Sequence, residues 1–339
     1  MAIDPYANCN LTVTDESQCT LETCCLAQSN FLYIPAYGAN LFFTIFFAVA
    51  IPPQFVLGIL YKTWGFAIAL IVGLVLEVLG YVARLEIHDN PFDNNAFLLY
   101  LIAATIAPVF ISAGIYLCLS RIIVIYGQSN SRFAPRTVAL AFMASDFLSL
   151  LLQAVGGAIA DTADDEGTKQ SGIDIMIAGL VLQAVSLAVF LLVVADFGVR
   201  CRQGVLDMSA EKQKTRDRFI FKAFMASLLL ATVAVLIRSI FRVAELWGGF
   251  SGKLWNDETD FLVLDGAMIG LAVVCLTASH PGVAFGGMWR TANWSFKGRK
   301  RDDLNGLERE NNLREEALKI SGLDCPRAET LERHGQGQT

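Results

Sequence analysis

Charge and histidine are both scarce in this chain. Of its 339 residues, 17% are charged, against about a quarter in soluble domains, and that shortfall excludes an ordinary soluble fold. Its three histidines, His88, His280 and His334, fall in a loop, at the end of an apolar run and in the tail. They supply no clustered ligand set, which argues against an intramembrane metal hydrolase. No glycine-rich loop of the kind that cradles ATP phosphates is found, nor a long polar domain to hold a nucleotide. No enzymatic activity, no cofactor and no nucleic acid partner are therefore expected. No apolar stretch precedes residue 36, so a cleavable signal peptide is not expected and the first apolar run must itself direct insertion. Neither an internal repeat nor a low-complexity tract is found.

Apolar residues fill the space that charge leaves: 54% of the chain is hydrophobic, with a mean hydropathy of +0.49. A helical span needs about 20 mostly apolar residues. Seven such runs occur, at residues 36–60, 65–85, 96–120, 137–160, 173–197, 219–247 and 260–280. The expected fold class is all-α, a polytopic membrane protein with seven transmembrane helices. Pro52, Pro53 and Pro108 interrupt the first and third runs. Such breaks free backbone carbonyls and are tolerated where a neighbouring helix or a cavity satisfies them again.

Orientation follows from lysine and arginine. Segment 1–35 and loop 86–95 have none, and loops 161–172 and 248–259 have one each, Lys169 and Lys253; the alternate side carries twenty-one, ten of them from Arg290 to Arg333. By the positive-inside rule the N-terminus is exoplasmic and the C-terminus cytoplasmic. Three regions follow: an exoplasmic cysteine-rich segment 1–35, a seven-helix domain 36–281, and a cytoplasmic tail 282–339. Cys9, Cys19, Cys24 and Cys25 lie in the exoplasmic segment, where oxidising conditions favour disulfides. A bridge between the neighbours Cys24 and Cys25 would be strained, so each is expected to pair with Cys9 or Cys19. The sequon at Asn10 is expected to be glycosylated, and the one at Asn293 to stay bare. Cys201, between Arg200 and Arg202, is a candidate for palmitoylation, although an unmodified thiol is the simpler reading. In the tail, KGRKR at 297–301 would attract anionic lipid by about 1 kcal/mol per basic residue; the remainder reads as solvated.

Within the apolar runs a few polar residues stand out. RSIFRVAE places Arg238, Arg242 and Glu245 on one helical stripe, where each charge near the bilayer centre costs about 2.5–3.5 kcal/mol. Counting along the runs puts Glu77, Asp146 and Gln183 at mid-membrane, with Arg84, Gln153, Arg238, Arg242, Glu245 and Asp265 nearer the outer face. Three arginines against four carboxylates is close to balance, and buried charges persist when paired, so one polar cluster is expected. Candidate substrate-binding residues are Glu77, Asp146, Gln153, Gln183, Arg238, Arg242 and Asp265. Arg84 and Glu245 read as structural polar pairs, and a purely structural role for the whole set is the competing interpretation. Tyr81 and Tyr116 read as packing residues with satisfied hydroxyls, and Gly156-Gly157 as a site of close helix contact.

These motifs carry a resemblance. EVLGYVAR (Glu77, Gly80, Tyr81, Arg84), APVFISAGIYLCLSR (Pro108, Tyr116, Arg121), DFLSLLLQAVGG, GLVLQ, RSIFRVAE, ETDFLVLD (Glu258, Asp265) and HPG occur in that order on the apolar runs. From about residue 33 to 282 the chain resembles the fungal RTA-like family, lipid-translocating exporters named for resistance to an aminocholesterol. Phe241 and Phe261 depart from it, standing where the family usually shows tyrosine. The resemblance implies a protein of a fungal membrane, most simply the plasma membrane. It implies movement of amphipathic lipids such as sphingoid bases, or resistance to amphiphilic toxic compounds, with porphyrin handling in some relatives. Its partners would be membrane lipids or amphipathic small molecules. One mechanism sets a protonated amine against Glu77 or Asp146, with Arg238 and Arg242 keeping those carboxylates ionised or binding a lipid phosphate. The rival is a seven-helix sensor or regulator of lipid asymmetry. Against the best-known receptor class, the third run ends in LSRIIVIYG without Asp-Arg-Tyr, the seventh lacks Asn-Pro-x-x-Tyr, and neither outer loop has a cysteine.

Overall fold

A computed structural model describes residues 19–20, 23–126, 135–163, 165–203, 218–249, 252–285 and 289. Cys9, Asn10, Asn293 and the basic run 297–301 lie outside the described residues, as does the side chain of Cys201. Six long helices come first: α1 Tyr37–Tyr61, α2 Trp64–Asp89, α3 Asn94–Tyr126, α4 Pro135–Thr162, α5 Glu166–Gln203 and α6 Phe219–Trp247. The seventh span, α7, runs Glu258–Ala284 and is composite. A single α-turn, Glu258–Asp260, leads into a π-helical stretch, Phe261–Ala267, then the helix Met268–Ala278 and a last turn, Pro281–Ala284. All seven are long and apolar enough to cross a membrane.

Hydropathy located every span but underestimated two. The third apolar run ends at residue 120 and its helix at Tyr126, while the fifth begins at 173 and its helix at Glu166. Hydropathy marks the part of a helix that lipid surrounds, whereas the backbone hydrogen-bond ladder continues through polar turns until a cap ends it. The start of α5 shows such a cap. Asp165 accepts from the Thr168 amide and hydroxyl, both at 2.8 Å, and these bonds hold its carboxyl below the usual range.

Each helix packs against the next in sequence, α7 returns to α1, and α3 meets α6 across the interior. The burial pattern is that of a lipid-facing bundle: Phe42, Phe147, Leu192 and Ile240 are among many large apolar side chains left on the outside. Helix α1 is the most peripheral and buries one stripe, Asn40, Phe47, Gln54 and Gly58. From that stripe Gln54 Nε2 donates to Thr277 Oγ1 at 2.7 Å, tying α1 to α7.

Between helices in lipid no water is released to drive association, so close packing of small residues takes over. Helices α4 and α5 meet this way. A Cβ added at Gly156 would stand 2.6 Å from the Gly172 carbonyl oxygen, and one at Gly179 would stand 2.8 Å from that of Ser149. The resulting antiparallel register sets Ser149 and Gln153 level with Gln183 and Gly179.

The segment before α1 forms a strap across the helix ends. Cys19 and Cys24 are joined in a disulfide, and Cys25 is disulfide-bonded as well. Phe31 stacks on Trp255 (5.6 Å between centroids) and meets Phe97 and Tyr100 edgewise or tilted. The Leu32 amide donates to Asn256 Oδ1 at 2.8 Å and the Ala36 amide to Glu258 Oε1 at 2.6 Å. At the other end of α3, Arg121 donates to the Trp289 carbonyl at 3.0 Å with its guanidinium 4.9 Å from that ring.

Gly172→Val would drive a side chain into the α4 backbone at Ala160, 2.5 Å from a Cβ at this position. Overpacking of this kind costs about 1–3 kcal/mol. The expected outcome is a lower thermal midpoint and lower yield of the purified protein, while Gly38→Ala, with nothing within 4 Å, behaves like the parent.

Candidate functional site

The stripe on α6 is held from three directions. Arg238 Nε lies 2.8 Å from Asp265 Oδ1, in the π-helical stretch of α7. Its Nη2 donates to the carbonyl oxygen of Ala104 in α3. That acceptor exists because Pro108 follows four residues later inside the helix and has no amide hydrogen to offer it. One turn on, Arg242 Nη1 donates to Glu245 Oε2 at 2.6 Å and to the Tyr100 hydroxyl at 3.3 Å, with Nε 3.9 Å from Asp265.

Arg84 is buried too, but aromatic faces do most of the work of accommodating it. Its guanidinium carbon lies 4.1 Å from the Phe261 ring centre, 5.0 Å from Tyr100 and 5.5 Å from Phe31. Desolvated cation–π contacts contribute about 2 kcal/mol or more. Nε donates to Asn40 Oδ1 at 2.9 Å and Nη2 to the Tyr33 hydroxyl at 3.0 Å, while Glu258 stands at 3.7 Å. Burial pushes the Tyr33 hydroxyl, outside the spans, above its ordinary range against the opposing pull of Arg84. Phe261, one of the two departures from the family pattern, therefore offers Arg84 a ring face, which needs no hydroxyl.

Charge can now be counted. Arg238 and Arg242 are matched by Asp265 and Glu245, and Arg84 by Glu258 at the strap. Glu77 is left over. It is 3% exposed, feels Asp265, Arg238 and Arg242 through space, and forms no hydrogen bond or ion pair with a described residue. One turn along α2, the buried Tyr81 hydroxyl also lacks a hydrogen-bond partner, contrary to the expectation of a satisfied group. Gly266 is packed directly against it, leaving no room for a partner side chain there.

The expected single cluster separates into two. Asp146 is joined to no arginine. Its Oδ2 accepts from the Tyr116 hydroxyl at 2.9 Å, and the Ser186 hydroxyl of α5 stands beside the carboxylate without reaching good hydrogen-bond geometry. Tyr116 lies against Phe190 (4.6 Å) and Phe142 (5.7 Å). Toward the strap on the same α4 stripe, Gln153 Nε2 donates to Ser149 Oγ at 2.9 Å and reaches Gln183 Oε1 at 3.4 Å. Arg238 and Arg242 thus pair with Asp265 and Glu245, not with Glu77 or Asp146 as first envisaged, because the α6 stripe faces α3 and α7. Reading the sequence missed Tyr100, Asn40, Tyr33 and the Ala104 carbonyl. Only the last left a signal, the proline four residues downstream. A narrow gap lined by Thr105, Gln153, Leu180, Arg242 and Glu245 separates the two sets.

Comparison with known proteins finds a family and several relatives. The family described as RTA1 like protein matches residues 70–288. The sphingoid long-chain base transporter RSB1 of Saccharomyces cerevisiae is 34% identical over 292 residues, covering 77% of this chain and 76% of that one. Protoporphyrin uptake protein 1 of the same yeast is 28% identical over 206 residues, 60% of this chain and 65% of its own. Protein RTM1 is 27% identical over 226 residues, 66% and 70% respectively. No solved structure matches.

Removing one partner of a buried ion pair costs about 3–5 kcal/mol, more than the pair contributes over a neutral replacement. Glu245→Gln should therefore destabilise the purified protein strongly. Adding Arg242→Met should recover part of that loss rather than double it, as a double-mutant cycle of thermal midpoints would register.

Proposed function

The chain belongs to the RTA1-like family, and from that premise we propose that it moves single-chain amphiphiles, sphingoid bases first among them, across a fungal plasma membrane in the export direction. The observation that carries this reading is the unmatched carboxylate of Glu77. A buried carboxylate stays ionised only beside a counter-charge and otherwise takes up a proton; the ammonium group of a long-chain base is one such counter-charge. Arg238 and Arg242 are already committed to carboxylates, which favours an amine-bearing head group over one recognised through its phosphate. The name of the yeast relative, a transporter of sphingoid long-chain bases, points to the same chemistry. Asp146, Gln153 and Gln183 form a second polar station between α4 and α5, suited to hydroxyl groups.

In this reading the strap is exoplasmic and the tail cytoplasmic, as the lysine and arginine distribution favours. The strap's cysteines are then oxidised and Asn10 carries a glycan, while the basic run 297–301 faces the anionic inner leaflet. Energetically the arginines serve the scaffold, holding α3, α6 and α7 together around the acceptor, and the carboxylate without a partner serves the ligand.

Glu77→Gln keeps shape and removes charge. It should reach near-normal surface levels yet lose tolerance to a toxic long-chain amine; unchanged tolerance at normal level would show that this charge serves no export. Orientation is checked separately: a glycosidase-sensitive mobility shift should vanish in Asn10→Gln and persist in Asn293→Gln.

A further inference from the structure

Beside the strap the helix packing opens into a cavity of about 440 Å³, within the range of small-molecule sites. Its mouth is polar. Asn30 of the strap and Asn94 of α3 stand there, joined by a 2.8 Å hydrogen bond, with Asp161 near the end of α4 and Lys169 in the first turns of α5. Deeper, the wall is apolar, formed by Phe97, Leu98 and Leu101 of α3 facing Gly157 and Met176. Leu101 and Met176 also border the narrow gap lined by Gln153, Arg242 and Glu245, so these two side chains stand between the cavity and the buried charges. From Gln153 to Asp161 the path along α4 is about 12 Å.

The adjacent glycines of α4 have different neighbours. Gly156 is locked against the α5 backbone, whereas a Cβ at Gly157 would meet only Met176 Sδ, at an ordinary 3.7 Å. A side chain at 157 would therefore extend into open space on the cavity wall, and helix packing does not require its absence.

We propose that this cavity binds the head group and first part of the chain of an amphiphile with a hydroxylated ammonium head, as the strap-side station on the route past Leu101 and Met176. The inference rests on the transport reading and gives it a location. The carboxylate of Asp161 meets the ammonium, the rim amides meet the hydroxyls, and the apolar wall of α3 receives the chain, whose remainder continues into lipid. Because Lys169 offsets Asp161 in net charge, direct contact of the ammonium with the Asp161 carboxylate, together with the hydroxyl hydrogen bonds, rather than a long-range field selects the ligand.

The test uses the full chain in nanodiscs and a fluorescent long-chain amino diol. The parent and Gly157→Ala should bind it saturably. Gly157→Phe, which fills the cavity, should bind roughly tenfold more weakly or worse at an unchanged thermal midpoint. Asp161→Asn should weaken the amino diol several-fold and leave a chain-matched diol unaffected. If Gly157→Phe proves unstable, Gly157→Cys replaces it: the amino diol should slow its reaction with a maleimide, measured above the labelling of the parent. Absence of saturable binding, equal binding by Gly157→Phe, or an unprotected Cys at 157 overturns the proposal. Binding without movement of the probe across a liposome bilayer would leave this site standing and reject transport. Movement that persists unchanged in a stable Gly157→Phe would reject the site and leave the transport reading intact.

Discussion

The amide hydrogen that Pro108 lacks organises the interior of this protein. Without it the Ala104 carbonyl in α3 has no helical partner, and a buried acceptor left unmade costs about 1–3 kcal/mol. Arg238 of α6 meets it and carries a charge into the same place, which requires a carboxylate; Asp265 of α7 supplies that. A backbone defect in one helix thus joins three. The π-helical stretch that holds Asp265 belongs to the same device. Such stretches are frequent at functional sites, and here it lies against the one buried hydroxyl of α2 that has no room for a partner.

Electroneutrality then sorts the remaining polar groups. Arg242 closes on Glu245, and Arg84 is sheltered by three rings with Glu258 at the strap. Glu77, buried at a similar depth, forms no ion pair with a described residue. The scaffold and the candidate site are therefore made from the same residue types at the same depth, and their partners distinguish them. A charged residue whose neighbours complete it holds helices together, whereas Glu77, which forms no such pair among the described residues, is left as the candidate for another role.

Packing between α4 and α5 shows a parallel division among residues without side chains. Gly156, Gly172 and Gly179 bring two backbones together, and Gly157 beside them borders an open space. Close approach fixes the register that sets Gln153 level with Gln183 and leaves Asp146 facing Tyr116. The glutamine pair is thus a consequence of small residues about one turn away, Gly156 and Gly179, which keep the two helices at one height.

Seven spans, their order, and the identities of the buried charges were legible in the sequence. Lipid enforces the first through a simple length of apolar chain, and charges inside such runs are too rare to overlook. Pro108 was legible as a break, and Gly156 as a contact. Partnership was not legible. Arg238, Arg242 and Glu245 share a stripe by helical spacing alone, but whether that stripe meets Glu77, Asp146 or Asp265 depends on how α6 is rotated against α3 and α7, and a one-dimensional pattern does not contain that rotation. For the same reason counting depth merged Asp146 with the arginines, whereas Asp146 turns to Tyr116 and the arginines to Asp265 and Glu245. The strap escaped as well, because Phe31 and Leu32 meet Trp255 and Asn256 across more than two hundred residues of chain with no periodicity to announce it. The sequence by itself determined which groups must be buried, through the free energy of transfer into lipid; only the tertiary structure decided which of them neutralise one another, because pairing is a matter of a few ångströms set by helix rotation.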